Sequence, residues 1–400
     1  MNLYIYENQQ ARDLEPLSLT RPAFDLKPGT LSFLDRILEQ FPAEKICLFV
    51  RPELEEICRE LRPEAEINPA RVEQGLWLLG NVFWSREDLV LMQTGPLSQY
   101  YSKGTMIGAK LSKDQGRAWL KSGGPVKIDP DMENSAKDLE SPYCRYLWNI
   151  LDLIPDALEL EKPKIQNNPR EYVNGEISIL EPDNVFISDT AEIQPNVVIN
   201  GRPGPVIIGD GVCLKAHSYL EGPLSLGQKT LIKPFTQIKN SVIGTGCKLG
   251  GELNTVIIQG YSNKVHDGFL GNSYLGEWVN LGAGTHTSNL KNNYADIIVQ
   301  VNGRAVDTEQ LLAGSFIGDH VKTAIGTVLN SGTVIGPGCL IAAAGFPSKT
   351  LRPFTWYVNH RHKAMIWEKF MTTAEIVESR RGRKISSAER LLLKRIFEER

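Results

Sequence analysis

Residues 224–249 read LSLGQKTLIKPFTQIKNSVIGTGCKL. Leu226, Ile232 and Ile238 stand six residues apart, and Ile243 and Leu249 repeat the step. A period of six fits neither the 3.6-residue turn of a helix nor the two-residue alternation of a strand. It is the period of a parallel β-helix built from hexapeptides, three of which close one triangular coil. The aliphatic side chain points into the prism, and a glycine often follows it, as at Leu226-Gly227 and Ile243-Gly244. Working outward, the same step links Ile187, Ile193 and Ile199, then Ile208 and Leu214, and later Ile317, Thr323, Leu329, Ile335 and Ile341. A middle set runs Ile257, Asn263, Phe269, Leu275 and Leu281. The β-helix is therefore expected over residues 175–346, with the poorly patterned stretch 290–312 leaving the prism as a loop.

The flanks read differently. Residues 1–165 alternate apolar runs with helical spacing: LYIY (3–6), LSFLDRILEQF (31–41), KICLFV (45–50), PELEEICREL (52–61) and GLWLLGNVFW (75–84). Strand, helix, strand, helix, strand predicts an α/β domain with a parallel sheet and crossovers. The polar stretch 160–170 reads as a linker. Residues 347–400 end in two helical segments, with Ser386-Ser387-Ala388-Glu389 as a capping signal for the second. Between them lies a basic cluster, Arg380, Arg381, Arg383 and Lys384.

The chain has 400 residues and a net charge of −3, which gives no basis for nucleic acid or an anionic membrane as a partner. No apolar stretch approaches membrane-spanning length. The N-terminus lacks a basic region followed by an apolar run, so no secretory signal is expected. The six cysteines form no CxxC pair, as reduced thiols of a cytoplasmic protein would be. The six histidines form no close pair on the prism, so no metal site is expected there.

One rung breaks the pattern. Asn263 takes an expected inward slot, and His266 follows three positions later, on the outer side near a corner. A polar group in an inward slot needs a hydrogen-bond partner or costs one to several kcal/mol, roughly. Such departures cluster at functional sites. The bland reading gives His266 as an ordinary outward side chain and Asn263 as a turn cap.

From His266 to Asn289 the chain reads HDGFLGNSYLGEWVNLGAGTHTSN. This resembles the histidine segment of the bifunctional glucosamine-1-phosphate N-acetyltransferase/N-acetylglucosamine-1-phosphate uridylyltransferase family. With LTRPAFDL (19–26) it is similar to the divergent alternative bacterial form of that family. The resemblance implies a left-handed β-helix preceded by a nucleotidyltransferase-like domain. It implies acetyl-CoA as cosubstrate, an amino-sugar 1-phosphate and UTP as substrates, a homotrimer, and Mg²⁺ as an option for the first domain. It passes the general-base role to His266. Asn263, Asn280 and Asn289 become substrate contacts, with Lys264, Lys239 and Lys233 as the local cations for the sugar phosphate and Lys264 ranked first. Ala342 and Ala343 become the small residues beside acetyl-CoA. Val279, Val328 and Val334 are offered as trimer contacts.

Residues 14–37, LEPLSLTRPAFDLKPGTLSFLDRI, resemble the nucleotidyltransferase pattern with parts altered. The usual glycine-rich loop is replaced by YENQQARDLEPL, Ala23 follows Pro22 where lysine is usual, and Asn81 and Asn149 stand where acids are expected. Arg12, Arg21 and Lys27 remain as phosphate-binding candidates. Three functions are open at this point: an amino-sugar 1-phosphate N-acetyltransferase, a nucleotidyltransferase whose β-helix trimerises it, and a non-catalytic scaffold of the same folds.

Overall fold

The computed structural model describes residues 1–41, 43–127, 129–130, 136–163, 177–343 and 345–399. Four parallel strands open the chain in the order Glu66–Ile67, Lys45–Phe49, Asn2–Tyr6, Gly75–Leu79. The sheet then turns mixed. Thr105–Leu111 runs antiparallel beside Gly75–Leu79, Ser98–Ser102 antiparallel beside that, and Ala136–Asp138 parallel at the edge. The expected parallel sheet thus holds for its first half only. Helices Phe33–Gln40 and Glu55–Leu61 provide the crossovers, the first capped by Ser32, whose side chain accepts from the Asp35 N–H. Helix Ile154–Glu161 occupies the start of the expected linker, whose residues 164–170 lie outside the described residues.

A left-handed parallel β-helix follows. One face stacks Glu192–Ile193, Cys213–Leu214, Leu231–Ile232, Lys248–Leu249 and Asn263–Lys264 in register. The parallel pairing runs past residue 346: Thr350–Leu351 pairs with Thr333–Ile335, and Thr355–Val358 pairs with Leu340–Ala342. Helices Trp367–Ser379 and Ser387–Glu399 close the chain, with Ser386 Oγ accepting from the Glu389 N–H at 3.0 Å as the capping signal predicts. The cysteines are free, and all but the half-buried Cys213 are buried.

The inward row corrects the phase read from sequence. Ile232 stacks on Leu249, and Leu249 on Lys264, so Lys264 rather than Asn263 takes the inward slot. The cause is one corner that is a residue short. Inward Ile238 and Ile243, Leu253 and Ile258, and Leu270 and Leu275 are five apart, and Asn240, Thr255 and Asn272 turn that corner with positive φ. Counting in sixes back from Leu275 across it shifts the register by one.

The loop at 290–312 leaves the prism as expected but folds as a hairpin, Ile298–Val301 against Arg304–Asp307. It docks on the N-terminal domain through Arg304 to Asp13 at 2.6 Å and Asn302 to the Arg12 carbonyl at 2.7 Å. The N-terminal domain itself lies along the prism. Val242, Ile257, Tyr274 and Phe316 point outward from the coils and are buried in the same apolar cluster as its core. Tyr274 Oη accepts from the Lys27 N–H at 2.9 Å and faces Gln259 Oε1 at 2.9 Å. Of the proposed trimer contacts, Val279 is inside the prism and Val334 lies on the strand that the Ile298–Val301 hairpin strand covers. Among the described residues, no helix is long and apolar enough to cross a membrane.

Candidate functional site

His266 lies in the turn between strands Asn263–Lys264 and Phe269–Glu277, and it is exposed. Among the described residues its ring makes no hydrogen bond, which leaves both nitrogens to solvent. The turn is held from inside. Lys264 Nζ donates to the His266 carbonyl at 2.7 Å and to the Gly250 carbonyl at 3.1 Å. Room for that ammonium comes from two corner glycines: a Cβ on Gly251 would lie 3.0 Å, and on Gly268 3.4 Å, from Lys264 Nζ. Lys264 is 2% exposed, and burial lowers its pKa to about 8, with Asp267 opposing the shift. The lysine ranked first for a sugar phosphate therefore faces the prism interior, positioned to brace the His266 turn.

The three asparagines lie around this rung. Asn263 Nδ2 is 3.4 Å from the exposed Asn280 Oδ1, one coil on. Asn289 Nδ2 donates to Asn272 Oδ1 at 2.8 Å. Lys239 is exposed and pairs in register with Asn254, which pairs with Gly271. It thus lies two coils from the Phe269–Gly271 segment, roughly 10 Å. A second histidine, His286, accepts from the Phe269 N–H through Nδ1 at 3.2 Å. That bond places the proton of a neutral His286 ring on Nε2. Its proximity to the site follows from stacking and was not legible from its spacing to His266.

Sequence reasoning also missed how the C-terminal segment joins the site. Arg381 Nη2 donates to Asn263 Oδ1 at 3.0 Å, bringing a guanidinium to the asparagine pair. Arg383 lies over the rings of Tyr261 and Trp278, at 5.3 and 5.5 Å. The signal was the basic cluster itself, which gives no hint of the rung it meets.

The corner that carries His266 continues upward through small residues. Gly282, Ala324 and Ala342 follow the inward residues Leu281, Thr323 and Ile341 in successive coils. Ala342 ends its strand, and the Ala343 carbonyl accepts from Thr327 Oγ1 at 3.1 Å. Phe235, Ile325 and Phe346 stand exposed at or near this corner.

The phosphate candidates of the N-terminal domain are committed elsewhere. Arg12 is paired with Glu15 and Glu53. Arg21 is buried against Asp319 and lies 3.8 Å from Glu277. Lys27 is half-buried where the domain meets the prism. Asn81 is fully buried, and its Nδ2 donates to the Cys144 carbonyl at 2.8 Å. Asn149 accepts from the Tyr146 N–H at 3.0 Å in the first turn of its helix. The Asn149 oxygen is thus engaged by the backbone, whereas the buried Asn81 Oδ1 accepts no hydrogen bond among the described residues. A cleft of about 660 Å³ opens instead past the carboxyl end of strand Lys45–Phe49. Arg71, Arg117, Lys121 and Lys127 line it, and among the described residues no carboxylate does. Crevices at the carboxyl ends of parallel strands are where open α/β sheets bind ligands. Four cations without an acid suit an anion such as a nucleotide phosphate and do not suit Mg²⁺.

Residues 3–169 match the model of the sugar nucleotidyl transferase family. The chain is 31% identical over 159 residues to a bifunctional sugar-1-phosphate nucleotidylyltransferase/acetyltransferase of Sulfurisphaera tokodaii, a match covering 38% of each chain. It is 24% identical over 277 residues to the bifunctional protein GlmU of Trichodesmium erythraeum, covering 64% of this chain and 54% of that protein. The matched stretches thus span well under two thirds of these relatives. Among solved structures, a Francisella novicida UDP-N-acetylglucosamine acyltransferase aligns over 56% of this chain and 88% of its own at 16% identity, with a TM-score of 0.34. The chain thus joins a segment matching the sugar nucleotidyl transferase model to a left-handed β-helix of hexapeptides, and over part of its length it is similar to bifunctional nucleotidylyltransferase/acetyltransferases.

Proposed function

We propose that the chain transfers the acetyl group of acetyl-CoA to the amine of an amino-sugar 1-phosphate, glucosamine 1-phosphate by preference. The observation that carries this reading is an exposed, unencumbered His266 on a turn that Lys264 braces from within the prism. A hexosamine ammonium is no nucleophile. The His266 imidazole takes a proton from the amine as nitrogen attacks the thioester carbonyl, a role worth roughly 10²–10⁴-fold. The carbonyl oxygen gains charge, the thiolate of CoA departs, and the proton held by His266 is available to it.

Asn263, Asn280 and Asn289 supply amides for sugar hydroxyls, and Lys239 and Arg381 supply cations for the phosphate. Gly282, Ala324, Ala342 and Ala343 leave room for the cofactor's pantetheine arm against the coil backbone. A homotrimer would place such a groove between neighbouring prisms, with exposed Phe235, Ile325 and Phe346 as contacts. Acetyl-CoA and UTP would be met in the cytoplasm. The deciding measurement is thiol release from acetyl-CoA with glucosamine 1-phosphate, with glucosamine and galactosamine 1-phosphate as comparisons. Absence of turnover with every amino-sugar 1-phosphate would reject this function.

A second reading, nucleotidyl transfer to the acetylated sugar phosphate, rests on the basic cleft of the N-terminal domain. Arg71, Arg117, Lys121 and Lys127 would grip the triphosphate of UTP. No step is assigned to Mg²⁺, because the described residues lining the cleft offer it no carboxylate. Pyrophosphate release from UTP with N-acetylglucosamine 1-phosphate tests it separately.

A further inference from the structure

Away from His266, three potential ligands converge where the C-terminal helices meet the prism. His320 projects from the turn after strand Ser315–Ile317, Glu378 from helix Trp367–Ser379, and Glu389 from helix Ser387–Glu399. One ligand atom of each lies within 4.8 Å of the other two. His320 Nε2 is 3.9 Å from Glu378 Oε1 and 3.9 Å from Glu389 Oε1.

The group is built rather than incidental. Glu378 is 0% exposed, and neither of its oxygens accepts a hydrogen bond among the described residues. A carboxylate stripped of water and given no donor costs several kcal/mol, roughly, unless something neutralises it. The His320 ring is wedged between Trp278, stacked at 6.3 Å, and the edge of Phe370 at 5.6 Å, which fixes its direction. Arg383 is the nearest cation, and its Nε stays 4.0 Å from Glu378 Oε2.

We propose that His320, Glu378 and Glu389 bind one divalent transition-metal ion, Zn²⁺ or Mn²⁺, which pins the C-terminal helices to the β-helix. One imidazole with two carboxylates suits these ions, whereas Mg²⁺ and Ca²⁺ take oxygen ligands almost alone. Ligand bonds of about 2.0–2.2 Å put adjacent ligand atoms roughly 3.0–3.5 Å apart. The 3.9 Å separations therefore close by about half an ångström on binding. A cavity of about 310 Å³, lined in part by His320, Glu389 and Arg383, leaves the remaining coordination positions to water.

The test uses the full-length chain without an affinity tag, stripped by chelator and then dialysed against Zn²⁺, Mn²⁺ or Mg²⁺. Elemental analysis should find one Zn²⁺ or Mn²⁺ per chain and no retained Mg²⁺. The Tm should rise by roughly 5 °C at saturating Zn²⁺. Glu378→Gln keeps the shape of a protonated Glu378 and should fold, yet bind at least tenfold more weakly and lose the Tm response. Glu389→Gln serves as the second variant and should behave alike. Substoichiometric uptake by the wild type, or equal uptake by both variants and wild type, overturns the proposal. So does a protonated-carboxyl infrared band at neutral pH that metal leaves unchanged and Glu378→Gln removes, because a proton then does the neutralising.

Discussion

Arg21 of the N-terminal domain and Asp319 of the β-helix, 298 residues apart in sequence, form an ion pair in which both side chains are under 10% exposed. Thr20 Oγ1 donates to the same carboxylate at 2.6 Å, and Asp319 Oδ1 accepts from the Glu277 N–H at 2.8 Å. Asp319 is thus a node for the domain contact. Removing Arg21 leaves a buried carboxylate without its main counter-charge. Arg21→Ala should lower stability by about 3–5 kcal/mol. Urea unfolding of the full chain checks this, and a change under 1 kcal/mol would mean that water replaces the guanidinium.

His266→Ala should reduce kcat for acetyl transfer by about 10²-fold or more while moving the Tm little. The side chain is exposed and its ring holds nothing in place, so no packing is lost. Retained kcat at neutral pH would remove His266 from the reaction.

Lys264 ties stability to pH. Its pKa is about 8 in the fold, against about 10.4 for an unfolded lysine. Between those values the unfolded chain holds a proton that the folded chain has released, so stability rises as pH climbs from about 8 to 10.5. Below about 8 the full penalty of the buried ammonium remains. Lys264→Leu should therefore stabilise the chain at pH 7 by up to about 3 kcal/mol, less the loss of two hydrogen bonds. The gain should fade above pH 8. Lys322, also lowered to about 8 by burial, adds the same slope to both proteins, so their difference isolates Lys264. Acetyl transfer should fall in the same variant, because the His266 turn loses its brace.

Asn81→Asp should not create a Mg²⁺ site. Asn81 donates to a carbonyl from a fully buried position, and an ionised aspartate there would turn a charged oxygen toward that carbonyl. A loss of about 3 kcal/mol or more is expected, with no gain in Mg²⁺-dependent pyrophosphate release from UTP. A gain would show that position 81 reaches the nucleotide after all.

Arg117→Glu, in the basic cleft, should weaken UTP binding at least tenfold at low salt, with a smaller effect as salt rises. Calorimetric titration of the full chain checks it. Unchanged affinity would place the nucleotide elsewhere.

The prism was legible because aliphatic residues in steps of six have no other use in a chain. The register around Asn263 was not, because the short corner at Asn272 hides in an unbroken run of leucine-glycine pairs. The doublets Val242-Ile243 and Ile257-Ile258 carried an unread message. One member faces the prism interior and the other the N-terminal domain, so a second covered face was written beside the first. The histidine motif drew attention to the His266 rung, but not to the side chain that braces it from within. Lys264 looked like a surface cation because lysine nearly always is one. The grouping of His320, Glu378 and Glu389 depends on how the last two helices fold back, and nothing in their sequence spacing encodes it.

The apolar cluster that joins Val242, Ile257, Tyr274 and Phe316 to the first domain also sets what can be exchanged in evolution or engineering. Were the two halves beads on a string, either could be swapped for a relative's and keep its own stability. Here each presents the other with a wall. Transplanting the β-helix alone would bare a greasy flank and strand Asp319, so a graft must carry both sides of the seam. Damage in the seam should travel as well: a lesion that loosens the first domain would disturb the scaffold that carries the His266 rung, with no change at His266 itself.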